Sequence, residues 1–295
     1  MRVLIVGCGY VGLPLGAMLA AAGHEVCGVR RTAEGVEELV AAGIHPLAAD
    51  VTKPEELAKL PLPFDWVVSA VSSTRGGAEV YRQVYLEGTR NLLRAFAALP
   101  PRKFVFTSST SVYGQAVGSE VDESSATEPQ SETSRVLVET ERVLLDAFRE
   151  RKFPAIILRV AGIYGPGRGV LFQQFARGEA RLHGDGSRLI NMVHRDDVVG
   201  AMVATLERGR VGEVYNVVDD EAVSQAGFFE WIAAQLGRPM PPAATEEEVA
   251  SRKRSLTNKR VVNRKLKEHT GWTLKHPTFR KGFAKEIEAA KGAQT

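Results

Sequence analysis

Gly7, Gly9 and Gly12 stand in the pattern G-x-G-x-x-G, directly behind the apolar run Val3-Leu4-Ile5-Val6. Glycines at this spacing, between a strand and a helix, bind the pyrophosphate of a dinucleotide. Gly7 permits a tight turn. Gly9, followed by Tyr10 and Val11, lets phosphate approach the backbone, and Gly12 lets the next helix pack against the strand. That helix, predicted over residues 13–22, is apolar and alanine-rich. Its N-terminus offers N–H groups and a partial positive charge to phosphate. A second chemical signal is Arg30-Arg31, at the tip of the next short β run, with Arg30 lying 23 positions after Gly7. An acidic residue there holds the ribose 2′-OH of NAD, whereas arginine suits a 2′-phosphate. Two guanidiniums without a carboxylate predict NADP (NADPH) over NAD.

Alternating strand and helix signals must position these groups. Apolar strands are expected at residues 45–49, 65–71, 103–109 and 154–159. Long helices are expected at residues 80–98, where Tyr81, Val84, Tyr85, Leu92 and Phe96 recur near helical spacing, and at residues 135–151. Repeated β-α-β with continuous apolar strands predicts an α/β fold, a doubly wound parallel sheet covered on both faces. Ligands of such sheets lie beyond the carboxyl ends of the strands. The strand tips therefore nominate Gly7 to Gly12, Arg30-Arg31, Asp50-Val51, Ala70-Val71-Ser72, Ser108-Ser109 and the segment from Val160 to Tyr164. After Tyr164 the pattern loosens into a smaller lobe. The expected division is residues 1–162, with 195–220 returning to the same unit, against 163–194 and 221–295.

Composition fits this reading. The chain has 295 residues, 44% hydrophobic and 25% charged, with a net charge of +3, too small to imply nucleic acid. Cys8 and Cys27 read as buried apolar residues of a reducing compartment, with no metal-ligand spacing. The N-terminus is itself the first strand, with no secretion signal and no apolar stretch of membrane-spanning length, so a cytoplasmic location is expected.

The residues resemble the extended short-chain dehydrogenase/reductase family, the epimerase/dehydratase-like group with a Rossmann-type sheet. The resemblance runs almost the whole chain. It rests on the glycine pattern, Asp50-Val51, Ser108-Ser109-x-x-Val112-Tyr113-Gly114, Arg159, the run Gly162-Ile163-Tyr164-Gly165-Pro166-Gly167, and His194-Arg195-Asp196-Asp197-Val198. It implies that Asp50 and Val51 border the adenine, that Ala70, Val71 and Ser72 line the cofactor beside Ser108, and that Gly162 to Tyr164 flank the nicotinamide. It also implies that Ser109 is the serine of the catalytic set.

Two departures matter. The glycine spacing is shorter than the family's usual G-x-x-G-x-x-G. The family's Tyr-x-x-x-Lys is missing as well. Aligning the following helix through Glu141 puts Thr133 and Leu137 in those places, and no tyrosine occurs between Tyr113 and Tyr164. An aliphatic hydroxyl does not ionise near neutral pH, so proton transfer must come from elsewhere. Tyr113, Tyr164 and His194 are the candidates. Each has a structural reading beside it: packing for the two tyrosines, and a hydrogen bond next to an Asp196-Asp197 helix cap for His194.

Arg168 and Arg188 fall in the lobe where relatives hold a substrate's phosphates or carboxylate. Asn191 is expected on the same strand as Arg188. The stretch 251–267 holds eight Lys or Arg and no acid. It reads mainly as a solvated amphipathic helix, with nucleic acid disfavoured as a partner. Helices 80–98 and 135–151 resemble the pair through which relatives dimerise. Two functions are weighed. One is an NADP-dependent oxidoreductase or epimerase-like enzyme on a small polar carbonyl or nucleotide-sugar compound. The other is a catalytically silent NADP-binding sensor. Retention of Ser109 and of a full substrate lobe favours the enzyme.

Overall fold

Continuous apolar runs become strands buried on both faces. In the computed structural model, which describes residues 1–32, 34–73, 77–250 and 257–292, seven parallel strands form the main sheet. They are β1 (Arg2–Val6), β2 (Glu25–Arg30), β3 (His45–Ala48), β4 (Trp66–Ser69), β5 (Lys103–Ser109), β6 (Ala155–Val160) and β7 (Val214–Val217). Their order across the sheet is β7-β6-β5-β4-β1-β2-β3. The chain winds outward from β1 through β2 and β3, then restarts at β4 on the other side of β1. The point where winding direction reverses opens a crevice at the strand tips, where doubly wound sheets bind ligands.

Helices α1 (Gly12–Ala21), α2 (Val36–Ala41), α3 (Gly88–Ala95), α4 (Glu132–Arg151) and α5 (Arg195–Arg208) supply most of the cover of the sheet, while α6 (Gln225–Leu236) packs apart from it. Ser131 caps α4 by accepting the Ser134 N–H at 3.2 Å. Lys152, at φ 55°, closes its other end. A second apolar cluster, apart from the sheet core, gathers Tyr164, Phe172, Phe228, Phe229, Phe279 and Phe283. None of the described helices is long and apolar enough to cross a membrane.

Four local expectations are corrected. The helix expected over 80–98 is instead Gly77–Tyr81, a π-helical stretch Arg82–Glu87, and α3. An apolar i, i+4 spacing satisfies both α and π turns, so periodicity did not separate them. The basic stretch 251–267 is not one amphipathic helix. Residues 251–256 lie outside the described residues, Lys259–Val261 is a strand parallel to Ser119–Val121, and a helix begins only at Arg264. The Asn191 side chain explains that strand. Its amide donates to the Lys259 carbonyl at 2.9 Å and its oxygen accepts the Val261 N–H at 2.8 Å, as a neighbouring strand would. Asn191 itself follows the strand Leu189–Ile190 and Arg188 precedes it, so the two flank that strand. Lastly, the cap of α5 is His194, whose Nδ1 accepts the Asp196 N–H at 3.1 Å. Asp196 and Asp197 lie inside the first turn, and Asp197 accepts the N–H groups of Lys275 and His276 at 2.5 and 3.0 Å.

Candidate active site

A cavity of about 510 Å³ follows the tips of β1, β2, β4, β5 and β6. One end is walled by Gly7, Gly9, Tyr10, Val11, Arg30 and Arg31, with Asp50 and Val51 beside them. Ala70, Val71 and Ser72 form its floor, and Ser108, Ser109, Gly162 and Ile163 its far end. Gly12 stands just behind. A Cβ there would lie 2.6 Å from the Gly7 carbonyl oxygen, so glycine is what brings α1 down onto β1. At Gly9 a Cβ would meet nothing within 4 Å, which leaves open space for a phosphate. Among the described residues no side chain caps the N-terminus of α1, so it can serve an anion. The Tyr10 hydroxyl is buried in this wall without a partner among the described residues, and the guanidiniums of Arg168 and Arg195 lie 5.1 and 5.4 Å from its ring centroid. An elongated cleft with an uncapped helix end, open glycine backbone and cationic rim fits a dinucleotide.

The two arginines of the β2 tip differ. Arg30 is engaged by the structure itself: it donates to the carbonyls of Cys8 (2.8 Å), Glu34 (3.2 Å) and Gly35 (2.9 Å), and to Glu38 (3.1 Å). It ties the glycine-rich turn to α2. Arg31 is exposed at the cavity edge.

Of the four candidate catalytic residues, only Ser109 lines the cavity. Its Oγ accepts the Ser111 N–H at 3.1 Å, which leaves its own proton available to donate. Tyr113 lies in a buried polar network. Ser108 donates to Glu141 at 2.5 Å, and Arg159 grips Glu141 at 2.7 Å. Arg159 also donates to the Tyr113 hydroxyl at 2.9 Å, and that hydroxyl donates to Asn216 at 2.8 Å. Tyr164 stacks on Phe283 with centroids 4.4 Å apart, and burial raises its phenol far above the ordinary range. Arg188 and Asn191 also stand outside the cavity lining, whereas Arg168 belongs to it.

The profile of the NAD dependent epimerase/dehydratase family matches residues 3–218. The chain belongs to this family. Among curated relatives it is 32% identical to Protein YeeZ of Escherichia coli K12, covering 81% of this chain and 85% of the relative. It is 29% identical to the 3-diazoavenalumate denitrifying reductase of a Streptomyces species, over 97% of this chain and all of the relative. Among solved structures, a UDP-glucose 4-epimerase of Thermotoga maritima superposes with a TM-score of 0.84 at 22% identity, covering both chains completely. That last likeness concerns the fold alone.

Helix α4 begins with small hydroxyls. Ser131 donates to Ser134 at 2.8 Å, and Ser134 to Ser111 at 3.0 Å. These groups are consumed in capping α4 and tying it to the loop after β5. Leu137, one and a half turns into α4, lines the cavity. Two further lining residues are Tyr81 and Tyr85, whose helical spacing alone does not set them apart from the apolar Val84, Leu92 and Phe96. The signal that distinguishes them is the phenol itself, a polar tip on an otherwise apolar helix face.

His194 is 4% exposed, and burial pushes its imidazole down to about 4, with His276 at 3.8 Å between ring centroids adding repulsion. Ligand atoms of His194, Asp196 and His276 lie within 4.8 Å of one another, although His194 Nδ1 already accepts the helix cap. A histidine held neutral in the fold takes up its proton on unfolding. Stability is therefore complete above pH 6.5 and falls as pH drops from 6.5 toward about 4. The expected loss is about 3 kcal/mol. Urea unfolding at a series of pH values checks this, and His194→Asn should flatten that part of the curve.

Proposed function

We propose that this family member is an NADP-dependent oxidoreductase acting on a small polar carbonyl or nucleotide-sugar compound, without a Tyr-x-x-x-Lys pair. The observation that carries this reading is one continuous cavity, running from Gly9 and Arg31 at the phosphate end to Ser109 and Ile163 at the other. NADPH, when bound, supplies hydride at the Ile163 end. The chain's own residues do the rest. Residues 1–162 with 195–220 hold the cofactor, and 163–194 with 221–295 hold the substrate. Arg31 takes the 2′-phosphate, with Arg30 bracing the glycine-rich turn beside it, and Arg168, over Tyr10, reaches the cavity from the substrate lobe. Ser109 donates to the substrate oxygen, and the apolar walls from Val160, Ala161 and Ile163 exclude water. The Streptomyces relative, named a reductase, supports reduction. Two free, buried cysteines fit a reducing cytoplasm.

The test is NADPH oxidation across keto-sugar nucleotides, aldehydes, ketones and imines. Ser109→Ala is expected to lower turnover about 10²-fold, as loss of one pre-aimed donor does. Binding of NADPH without turnover anywhere in the panel would move the reading to a sensor. For cofactor choice, Arg31→Ala should weaken NADPH about 10- to 100-fold, the worth of a charge-assisted contact, and leave NADH nearly unchanged. Equal losses for both cofactors would remove the 2′-phosphate role. The segment Gly77–Ala95 and α4 are already bound to each other by Arg82–Glu139 at 2.9 Å and Arg90–Glu139 at 3.6 Å. We propose that their outer faces form a homodimer. Light scattering should then give about twice the 32.1 kDa chain mass.

A further inference from the structure

We propose that Tyr85, backed by Tyr81, is the phenol that delivers the proton to the substrate oxygen. This rests on the reading above and supplies the group it lacks. Both tyrosines line the same cavity as Ser109, Leu137, Ile163 and Arg168. They come from the junction where the helix Gly77–Tyr81 passes into the π-helical stretch Arg82–Glu87. Such π turns recur at functional sites. Four residues apart, their rings stack with centroids 4.2 Å apart and 27° between planes. The Tyr81 hydroxyl and the Ser73 N–H both hydrogen-bond to the Tyr85 phenol oxygen. Tyr85 is 8% exposed, and its ring stands edge-on to Phe106 of β5 at 6.5 Å. Tyr81 is only half-buried. The pair is therefore a short phenol relay at the cavity wall, with Tyr85 buried and Tyr81 half-buried.

The step balances. The carbonyl carbon accepts hydride from reduced nicotinamide, and the carbonyl π pair moves to oxygen. That oxygen takes the proton of the Tyr85 hydroxyl. Tyr81 returns a proton to the Tyr85 oxygen and is itself reprotonated by water. Ser109 holds the same substrate oxygen from the β5 side. The environment also sets the direction. Burial raises the Tyr85 phenol above its ordinary value of 10.0, outweighing the Tyr81 and Ser73 hydrogen bonds and the charge of Arg168. A phenol protonated at neutral pH donates well to a forming alkoxide and is a poor base toward an alcohol. Reduction should be flat with pH to above 10, while alcohol oxidation should be slow at neutrality and rise with pH.

The experiment uses the full chain, Tyr85→Phe and Tyr81→Phe, with three readouts: NADPH binding by fluorescence, turnover on the substrate panel, and tyrosinate absorbance titrated with NADP⁺ bound. Tyr85→Phe should lose about 10²- to 10⁴-fold in turnover, the usual worth of a positioned acid, while NADPH binding is kept. Tyr81→Phe should lose less, and its pH profile should shift. The positive nicotinamide should draw one tyrosinate step to lower pH in the wild type, and Tyr85→Phe should lack that step. This last readout needs no substrate. Undiminished turnover in Tyr85→Phe, or identical titrations of the two proteins, overturns the inference and leaves the oxidoreductase reading standing. Failure of the wild type to bind NADPH overturns both.

Discussion

Arg159→Ala is expected to lose about 3–5 kcal/mol of folding stability, the cost of stranding one member of a buried ion pair. Arg159 and Glu141 are 6% and 3% exposed, and the guanidinium meets the carboxylate at 2.7 Å. Remove the arginine and the Glu141 carboxylate keeps only the Ser108 hydroxyl, while the Tyr113 hydroxyl loses a donor. Both groups then sit desolvated in the layer between β5, β6 and α4. The double variant Arg159→Met/Glu141→Leu removes both charges and keeps apolar volume, so it should recover much of the loss. Urea unfolding of the single and double variants distinguishes an ion-pair effect from simple loss of packing; equal destabilisation would contradict the account. The network also has a functional reach. It pins Ser108, the neighbour of Ser109, so Arg159→Ala should weaken NADPH binding even where the protein stays folded.

Gly7→Ala is expected to cost at least about 3 kcal/mol, from left-handed backbone strain added to overlap. Gly7 has φ +90°, and an added Cβ would lie 2.7 Å from the backbone of Ala70 and Val71. Those atoms belong to the floor of the cavity just beyond β4, and backbone does not yield as a flexible side chain does. The turn and the floor must separate, and with them the proposed phosphate site. Gly9→Ala is the contrasting variant. Its Cβ meets nothing within 4 Å, so stability should stay within about 0.5 kcal/mol. It should still reduce NADPH affinity, because the methyl enters the space left for phosphate. Thermal unfolding with and without NADPH separates the two effects. If Gly9→Ala binds as tightly as the wild type, phosphate does not approach that backbone.

The contrast between what was legible and what was not follows the range of the interactions. Strands β1, β4, β5 and β6 were legible because a strand buried on both faces must be apolar throughout, and that is written in consecutive residues. The cavity wall from Gly7 to Val11 was legible for the same reason: turn, strand and helix are all local. Asp50, Ala70 and Ile163 were legible one step further, because a doubly wound sheet brings its strand tips together wherever they lie in the chain. The environments of Tyr113, Tyr164 and His194 were not. Each depends on partners far away in sequence: Asn216 and Arg159 for Tyr113, Phe283 for Tyr164, His276 for His194.

By itself, then, the sequence determined the sheet, the dinucleotide fingerprint and the set of strand tips, because periodicity and turn chemistry act between near neighbours. Only the tertiary structure decided which polar groups face the cavity. It locked Arg30 onto Cys8 and Glu38 while leaving Arg31 exposed, and it folded residues 259–261 into a strand against Asn191. It also turned Tyr81 and Tyr85, which have the spacing of core residues, into a wall of the site. Burial and hydrogen-bond partners are set by contacts across the chain, and no local pattern encodes which of two chemically equal side chains will find them.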